Sequence, residues 1–107
     1  MNLTLPNDQD FYWKDGSLWC EGVSLETLAR KFGTPLYVYS KHALVSAFNA
    51  YQSALADYPH LVCFALKANS NLSIIKLFGE LGSGFDIVSG GELQRVKAAG
   101  CDTRKVI

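Results

Sequence analysis

LVCFALKANSN, residues 61–71, holds an unbroken run of six apolar side chains that meets Lys67 and is closed at once by the turn-forming and capping residues Asn69, Ser70 and Asn71. A short apolar run bounded by turn signals reads as a strand buried on both faces, the kind that parallel sheets contain. Within it Val62, Phe64 and Leu66 form a bulky face, while Cys63, Ala65 and Lys67 form a slim one ending in an amine. In a closed barrel the slim face suits the crowded interior. Lys67 then looks inward at the strand's carboxyl end, where parallel α/β folds place their chemistry.

An ammonium held against apolar walls is disfavoured relative to the neutral amine. A neutral amine is a nucleophile that can form a Schiff base with an aldehyde cofactor or a carbonyl substrate. Lys67 can equally snorkel from the strand end into water, its stem covering apolar neighbours. Position alone leaves both open.

Outward from this strand the chain alternates strand and helix. Upstream, residues 36–39 read as a strand, and Ser40 caps a helix on which Leu44, Phe48, Tyr51 and Leu55 recur at helical spacing. Downstream, a helix over residues 72–81 carries Ile74, Ile75, Leu77 and Phe78 and stops at Gly82. Residues 85–88 form the next strand, a helix over residues 91–99 stops at Gly100, and Val106 and Ile107 begin a further strand. The order βαβαβαβ predicts a parallel sheet with right-handed crossovers. Closing a barrel takes eight strands and about 250 residues. The sequence is therefore a small open sheet or a portion of a larger fold, and an end inside an apolar strand favours the portion.

Ahead of this repeat, residues 1–10 are polar and read as loosely held. In FYWKDGSLWCEGV, residues 11–23, Asp15-Gly16 between two aromatic-bearing segments predicts a β-hairpin with a tight primed turn. A lone hairpin is marginal in water, so Trp13 and Trp19 need another surface to cover them. Ser24 caps a short helix with Leu25, Leu28, Ala29 and Phe32 on one stripe, Gly33 as its stop and Pro35 just beyond. Residues 1–34 thus form an appendage to residues 35–107.

The 107 residues are 49% apolar, enough for the core of one domain. Ten basic residues balance ten acidic ones, which leaves no electrostatic footprint for nucleic acid or an anionic membrane. Arg95, Lys97, Arg104 and Lys105 read as a solvated face. The amino-terminal residues have no basic start followed by an apolar core, as a secretory signal would, and no apolar run is long enough to span a bilayer. The cytosol is the expected location. Cys20, Cys63 and Cys101 form no CxxC pair, which argues against a disulfide framework and a zinc site. His42 and His60 add no coordinating interval, and His60, at the opposite strand end from Lys67, reads as a loop histidine.

GSGFDIVSGGEL, residues 82–93, places Asp86 inside an apolar strand. An ionised carboxylate there is costly unless paired, and if consecutive strands are neighbours Lys67 is the natural cation. Ser89 and Glu92 fit the capping box S-x-x-E, the first role read for Glu92. Gly90-Gly91 would let helix-terminal N–H groups approach an anion, by itself a weak signal.

FGTPLYVYS (residues 32–40), CFALKANSNLSIIKLFGELG (residues 63–82) and GFDIVSGGELQRVKAAG (residues 84–100) resemble, in order and spacing, the amino-terminal part of the pyridoxal-phosphate decarboxylases built on the alanine-racemase-like barrel. Within that family the likeness is greatest to members acting on meso-2,6-diaminopimelate. Relatives acting on ornithine, arginine or carboxynorspermidine are the alternative, because substrate choice is not written in the lysine strand. From another class, the rival is a small open-sheet binding domain with a structural Lys67–Asp86 pair.

The resemblance implies an α/β fold: the first three to four βα units of a partial TIM (β/α)8 barrel over residues 35–107, with residues 1–34 belonging to a second β domain completed elsewhere. It implies pyridoxal 5'-phosphate as cofactor, a small amino-acid substrate, and a homodimer when full length. Lys67 matches the lysine that holds the cofactor. Asp86 matches a nearby carboxylate with an orienting or charge-balancing role. Ser89 and Glu92 lie at the same mouth, and Asn69 and Asn71 fix the strand's exit. The phosphate-gripping turns, the partner of the pyridine nitrogen and the substrate clamps are expected beyond Ile107, so the isolated chain is expected to be inactive.

Overall fold

Asp15 and Gly16 take positive φ, 50° and 76°, and join β1 (Phe11–Lys14) to β2 (Ser17–Cys20). Two residues with positive φ make the primed turn whose twist matches that of paired strands, as the Asp-Gly signal predicts. The computed structural model describes residues 10–107 and divides into two compact units, Met1–Ala47 and Phe48–Ile107. Residues 1–9, most of the stretch read as loosely held, lie outside the described residues.

In the first unit a second tight turn at Glu21-Gly22 adds β3 (Val23–Ser24), giving a three-stranded antiparallel sheet in the order β1-β2-β3. β3 leaves no signal in the sequence pattern, since two residues are too few to show a period. α1 (Leu25–Phe32) starts where the Ser24 hydroxyl accepts the Thr27 N–H at 3.5 Å and ends where Gly33, at φ 83°, returns its N–H to the Ala29 carbonyl. Trp13 remains 56% exposed, so the cover it calls for is not within this sheet. Residues 36–39, expected as a strand, take no ladder partner among the described residues. A strand exists only where a neighbour receives its N–H and C=O groups, and here none does.

α2 (Lys41–Ala54) begins at a polar knot. Ser40 Oγ accepts the Ala43 N–H at 3.0 Å, while Glu21 Oε1 accepts the Ser40 hydroxyl and the His42 N–H, each at 2.8 Å. His42 Nδ1 lies 2.6 Å from Oδ1 of the buried Asp10. Glu21 therefore caps this helix from 19 residues away in sequence. Chiefly the His42 N–H, and next the Ser40 hydroxyl, hold the Glu21 carboxyl below the usual carboxylate range.

The second unit is the parallel one. β4 (Cys63–Ala65) and β5 (Gly84–Asp86) pair in the register Cys63↔Gly84, Phe64↔Phe85 and Ala65↔Asp86. β4 is shorter than the strand expected over residues 61–66, although ladder bonds continue at Val62 O and Leu66 N. Val106 bridges Phe85 in parallel, and Ile107 exchanges bonds with Phe85 and Ile87, so the further strand begins where the pattern placed it. A short 3-10 turn, Thr103–Lys105, precedes it. There the Arg104 guanidinium grips Asp102 and brings its carboxyl down to about 2.

α3 (Leu72–Glu80) supplies Ile74, Ile75 and Phe78 to the core, and α4 (Gly90–Ala98) supplies Val96. The bulky face of β4 turns to α3, with the Phe64 ring stacked on Phe78 at 4.4 Å and Phe48 meeting Phe78 edge-on at 5.9 Å. Leu66, Ile75, Phe85 and Val96 are fully buried, each worth about 1.5–3 kcal/mol. The buried Ser83 hydroxyl accepts the Phe64 N–H at 3.3 Å and lies 2.6 Å from the Gly84 carbonyl, tying the two strand starts together.

Strand spacing depends on Gly84. A methyl there would lie 2.6 Å from Cys63 Sγ and 2.7 Å from the Lys105 carbonyl oxygen. The sulfur can turn away, but the carbonyl belongs to the backbone entering the next parallel strand. Gly84→Ala is expected to lower stability to urea by about 1–3 kcal/mol; an unchanged midpoint would refute so tight a packing.

The knot at α2 carries a pH signature. Because folding lowers the Glu21 pKa, its contribution is present above the unfolded value of 4.5 and is lost as pH falls through the folded one. Glu21→Gln should lower the melting temperature at neutral pH and flatten its decline toward acid. Parallel pH profiles for the two proteins would count against this role.

Candidate active site

Parallel pairing brings the two singled-out residues to one rim. Ala65 stands opposite Asp86, and the Leu66 N–H donates to the Asp86 carbonyl at 3.1 Å, so Lys67 leaves β4 where Asp86 ends β5. The chain then turns, with the Ala68 N–H donating to the Ala65 carbonyl at 3.1 Å. Asn69 Oδ1 accepts the Asn71 N–H at 3.0 Å, and Asn71 Oδ1 caps α3 through the Ser73 N–H at 2.9 Å. Both asparagines thus fix the strand's exit, as their positions predict.

Of the two readings of Lys67, the described residues show the one that reaches water: the side chain is exposed. The pairing with Asp86 is corrected, since among the described residues no ion pair joins the two. Asp86 is half-buried at the last position of β5, and a carboxylate at a strand mouth reaches water and needs no fixed cation. A purely structural Lys67–Asp86 pair is therefore not what this chain contains.

Ser89 and Glu92 open α4 as predicted, with one shift. Ser89 Oγ accepts the Glu92 N–H at 3.2 Å, while Glu92 Oε2 accepts the Val88 N–H at 2.6 Å, one residue ahead of the cap. In front of this helix start Gly90 has open space where a Cβ would stand, and Gly91 meets only the Ser89 hydroxyl, at 3.8 Å.

Arg95 is exposed, as the solvated-face reading expects, and its Nη1 in addition donates to the Ser70 carbonyl at 3.0 Å, across 25 residues of sequence. No local spacing signals such a contact, since it exists only once the two βα units pack side by side.

Other candidates stand apart. His60, in its loop, has Nδ1 2.8 Å from the Tyr58 carbonyl and Nε2 2.6 Å from Gln52 Oε1. Cys20, Cys63 and Cys101 are free thiols, with Cys20 and Cys101 pushed up in pKa mainly by burial. Among the described residues no group of His, Cys, Asp and Glu could hold a metal ion, and no helix is long and apolar enough to cross a membrane.

The rim thus offers an accessible primary amine, a half-buried carboxylate and an uncrowded helix start whose Gly90 and Gly91 N–H groups have no acceptor among the described residues. This donor set suits a carbonyl compound that also carries an anionic group. The amine can condense with the carbonyl, and helix-terminal N–H groups favour the anion.

Known proteins share this arrangement of sequence and fold. Residues 41–107 match the family described as pyridoxal-dependent decarboxylase, pyridoxal binding domain. The chain is 64% identical over 91 residues to diaminopimelate decarboxylase of Neisseria meningitidis serogroup A, covering 85% of this chain and 22% of that protein. It is 55% identical over 96 residues to the enzyme of that name from Vibrio cholerae, covering 90% of this chain and 23% of that one. A crystal structure from Aquifex aeolicus superposes with a TM-score of 0.84 at 50% identity, covering 91% of this chain and 24% of that chain. The M. jannaschii diaminopimelate decarboxylase in co-complex with L-lysine gives 0.85 at 37% identity, covering 92% and 24%. The chain therefore spans less than a quarter of the length of these relatives, and it belongs to the pyridoxal-dependent decarboxylase family, within whose pyridoxal-binding domain residues 41–107 fall.

Proposed function

We propose that these residues are the lysine-bearing amino-terminal portion of an enzyme that removes carbon dioxide from meso-2,6-diaminopimelate to form L-lysine. The 64% identity to an enzyme named for that substrate carries this reading. The parallel order of β4, β5 and the Val106 bridge supports the first units of a (β/α)8 barrel. Exposed Trp13, Phe32 and Tyr37 support a β domain completed by other parts of the protein. The complete enzyme is proposed to be a cytosolic homodimer.

Pyridoxal 5'-phosphate fits the rim chemically, through one accessible amine for its aldehyde, while the turns that would grip its phosphate lie beyond Ile107. Lys67 would hold it covalently. Bound there, the cofactor supplies the electron sink for the pair left when carbon dioxide departs. The remaining work falls to the protein. Lys67 Nζ, when free of the cofactor, would hold a proton that it can return to the carbon that lost its carboxylate. Asp86, at the end of the neighbouring strand, would balance charge at the same rim without a direct ion pair, and Glu92 holds the α4 start in place through Val88 and Ser89. The clamps and the water-excluding walls come from outside this chain.

Borohydride reduction of the complete enzyme with its cofactor, followed by peptide mapping, should place the label on Lys67. Lys67→Ala should cost roughly 10²-fold or more in turnover. Carbon dioxide should come from meso-diaminopimelate and not from ornithine, arginine or carboxynorspermidine. A label on another lysine, or release from ornithine alone, would overturn the assignment.

The chain of 107 residues by itself should show no decarboxylase activity, because the clamps are missing. Measurable turnover from the purified chain would contradict this division of parts.

A further inference from the structure

We propose that Arg95 is a positioning residue for Lys67, its guanidinium holding the loop between β4 and α3 so that the amine keeps one approach to the cofactor. The inference rests on the assignment of Lys67 as the cofactor-bearing lysine and goes beyond it.

The loop over residues 66–71 is held in two different ways. The Ala68–Ala65 bond and the two asparagine bonds join residues two or three apart, so they set the loop's own shape and not its place beside the next βα unit. Two bonds reach across to that unit. One is the Leu66 N–H to the Asp86 carbonyl at 3.1 Å, and the other is Arg95 Nη1 to the Ser70 carbonyl at 3.0 Å. Lys67 lies between these anchors. With the second removed, residues 67–70 are held only by the loop's own bonds between the Leu66 anchor and the start of α3 at Asn71, which leaves this short span more room to move.

Arg95 suits the task. Its neighbour Val96 is fully buried and the helix start is locked by Ser89 and Glu92, so the guanidinium projects from a fixed platform. Among the described residues no carboxylate lies within ion-pair distance of it. The bond to Ser70 therefore has no competing partner there, and it persists at any working pH because a guanidinium does not lose its proton. Small displacements of a reacting group are costly, which gives a loop tether remote from the chemistry its effect.

The test compares Arg95→Met, which keeps an apolar stem without donors, and Arg95→Lys with the parent in the complete enzyme. Hydrogen exchange of the cofactor-free protein reports the tether, and the rate of pyridoxal phosphate release reports its consequence for Lys67. Arg95→Met should speed exchange over residues 68–71 about fivefold or more with an unchanged melting temperature. It should also speed cofactor release about threefold or more, and Arg95→Lys should recover part of both. Unchanged exchange over residues 68–71 would overturn the tether. Faster exchange with unchanged release, in an enzyme labelled by borohydride on Lys67, would overturn the positioning role. A parent label on a different lysine would overturn the underlying assignment and this inference with it, and is told apart by the labelled peptide.

Discussion

The pairing of β4 with β5 is the constraint from which the site follows. Parallel strands in register carry their carboxyl ends to one rim, so setting Ala65 against Asp86 determines that Lys67, Ser89 and the start of α4 share a mouth. A slip by one residue would send Lys67 to the opposite face of its strand. Two features resist slippage. Ser83 ties the strand starts together through the Phe64 N–H, and Gly84 admits the Lys105 backbone at a distance no other residue allows. The chemistry at one end of the sheet is thus held by packing at the other.

Burial explains why the second unit holds its shape on so few elements. Phe64, Phe78 and Phe48 form one aromatic cluster on the helix side, and Leu66, Ile75, Phe85 and Val96 are removed from water altogether. Elsewhere apolar surface remains open, with Tyr51, Tyr58, Leu61, Val88 and Ile107 between 49% and 75% exposed. Large apolar side chains left uncovered along element faces are surfaces that other parts of a larger protein can cover. This agrees with a chain that spans under a quarter of its relatives.

Much of this was legible in the sequence, for identifiable reasons. The Asp15-Gly16 turn, the Ser24, Asn71 and Ser89 caps and the Gly33 and Gly100 stops are local, because each signal lies within a few residues of the structure it makes. The parallel order was legible because strand and helix periods alternate. What escaped depends on partners. Residues 36–39 have strand composition and no neighbour to pair with, while β3 has a neighbour and almost no length. Glu21 at the α2 start and Arg95 at Ser70 act across 19 and 25 residues, and nothing in their own neighbourhoods announces it. The presumed Lys67–Asp86 pair erred differently. It placed Asp86 inside an apolar strand, and Asp86 stands at the strand's last position, half-buried.

That error bears on how the work is divided within the proposed enzyme. A lysine gains nucleophilic character when apolar walls make its charged form costly. Here Lys67 is exposed, so this portion of the protein supplies its place and not its desolvation. The place is specified by backbone pairing on one side and by a cation that cannot lose its charge on the other. In the enzyme proposed above, the walls would come from parts of the protein outside this chain. Separating the two tasks has a physical advantage. An amine already set in position by rigid elements can be dried by later-arriving surfaces without moving, so the burial that activates it need not also be the burial that aims it.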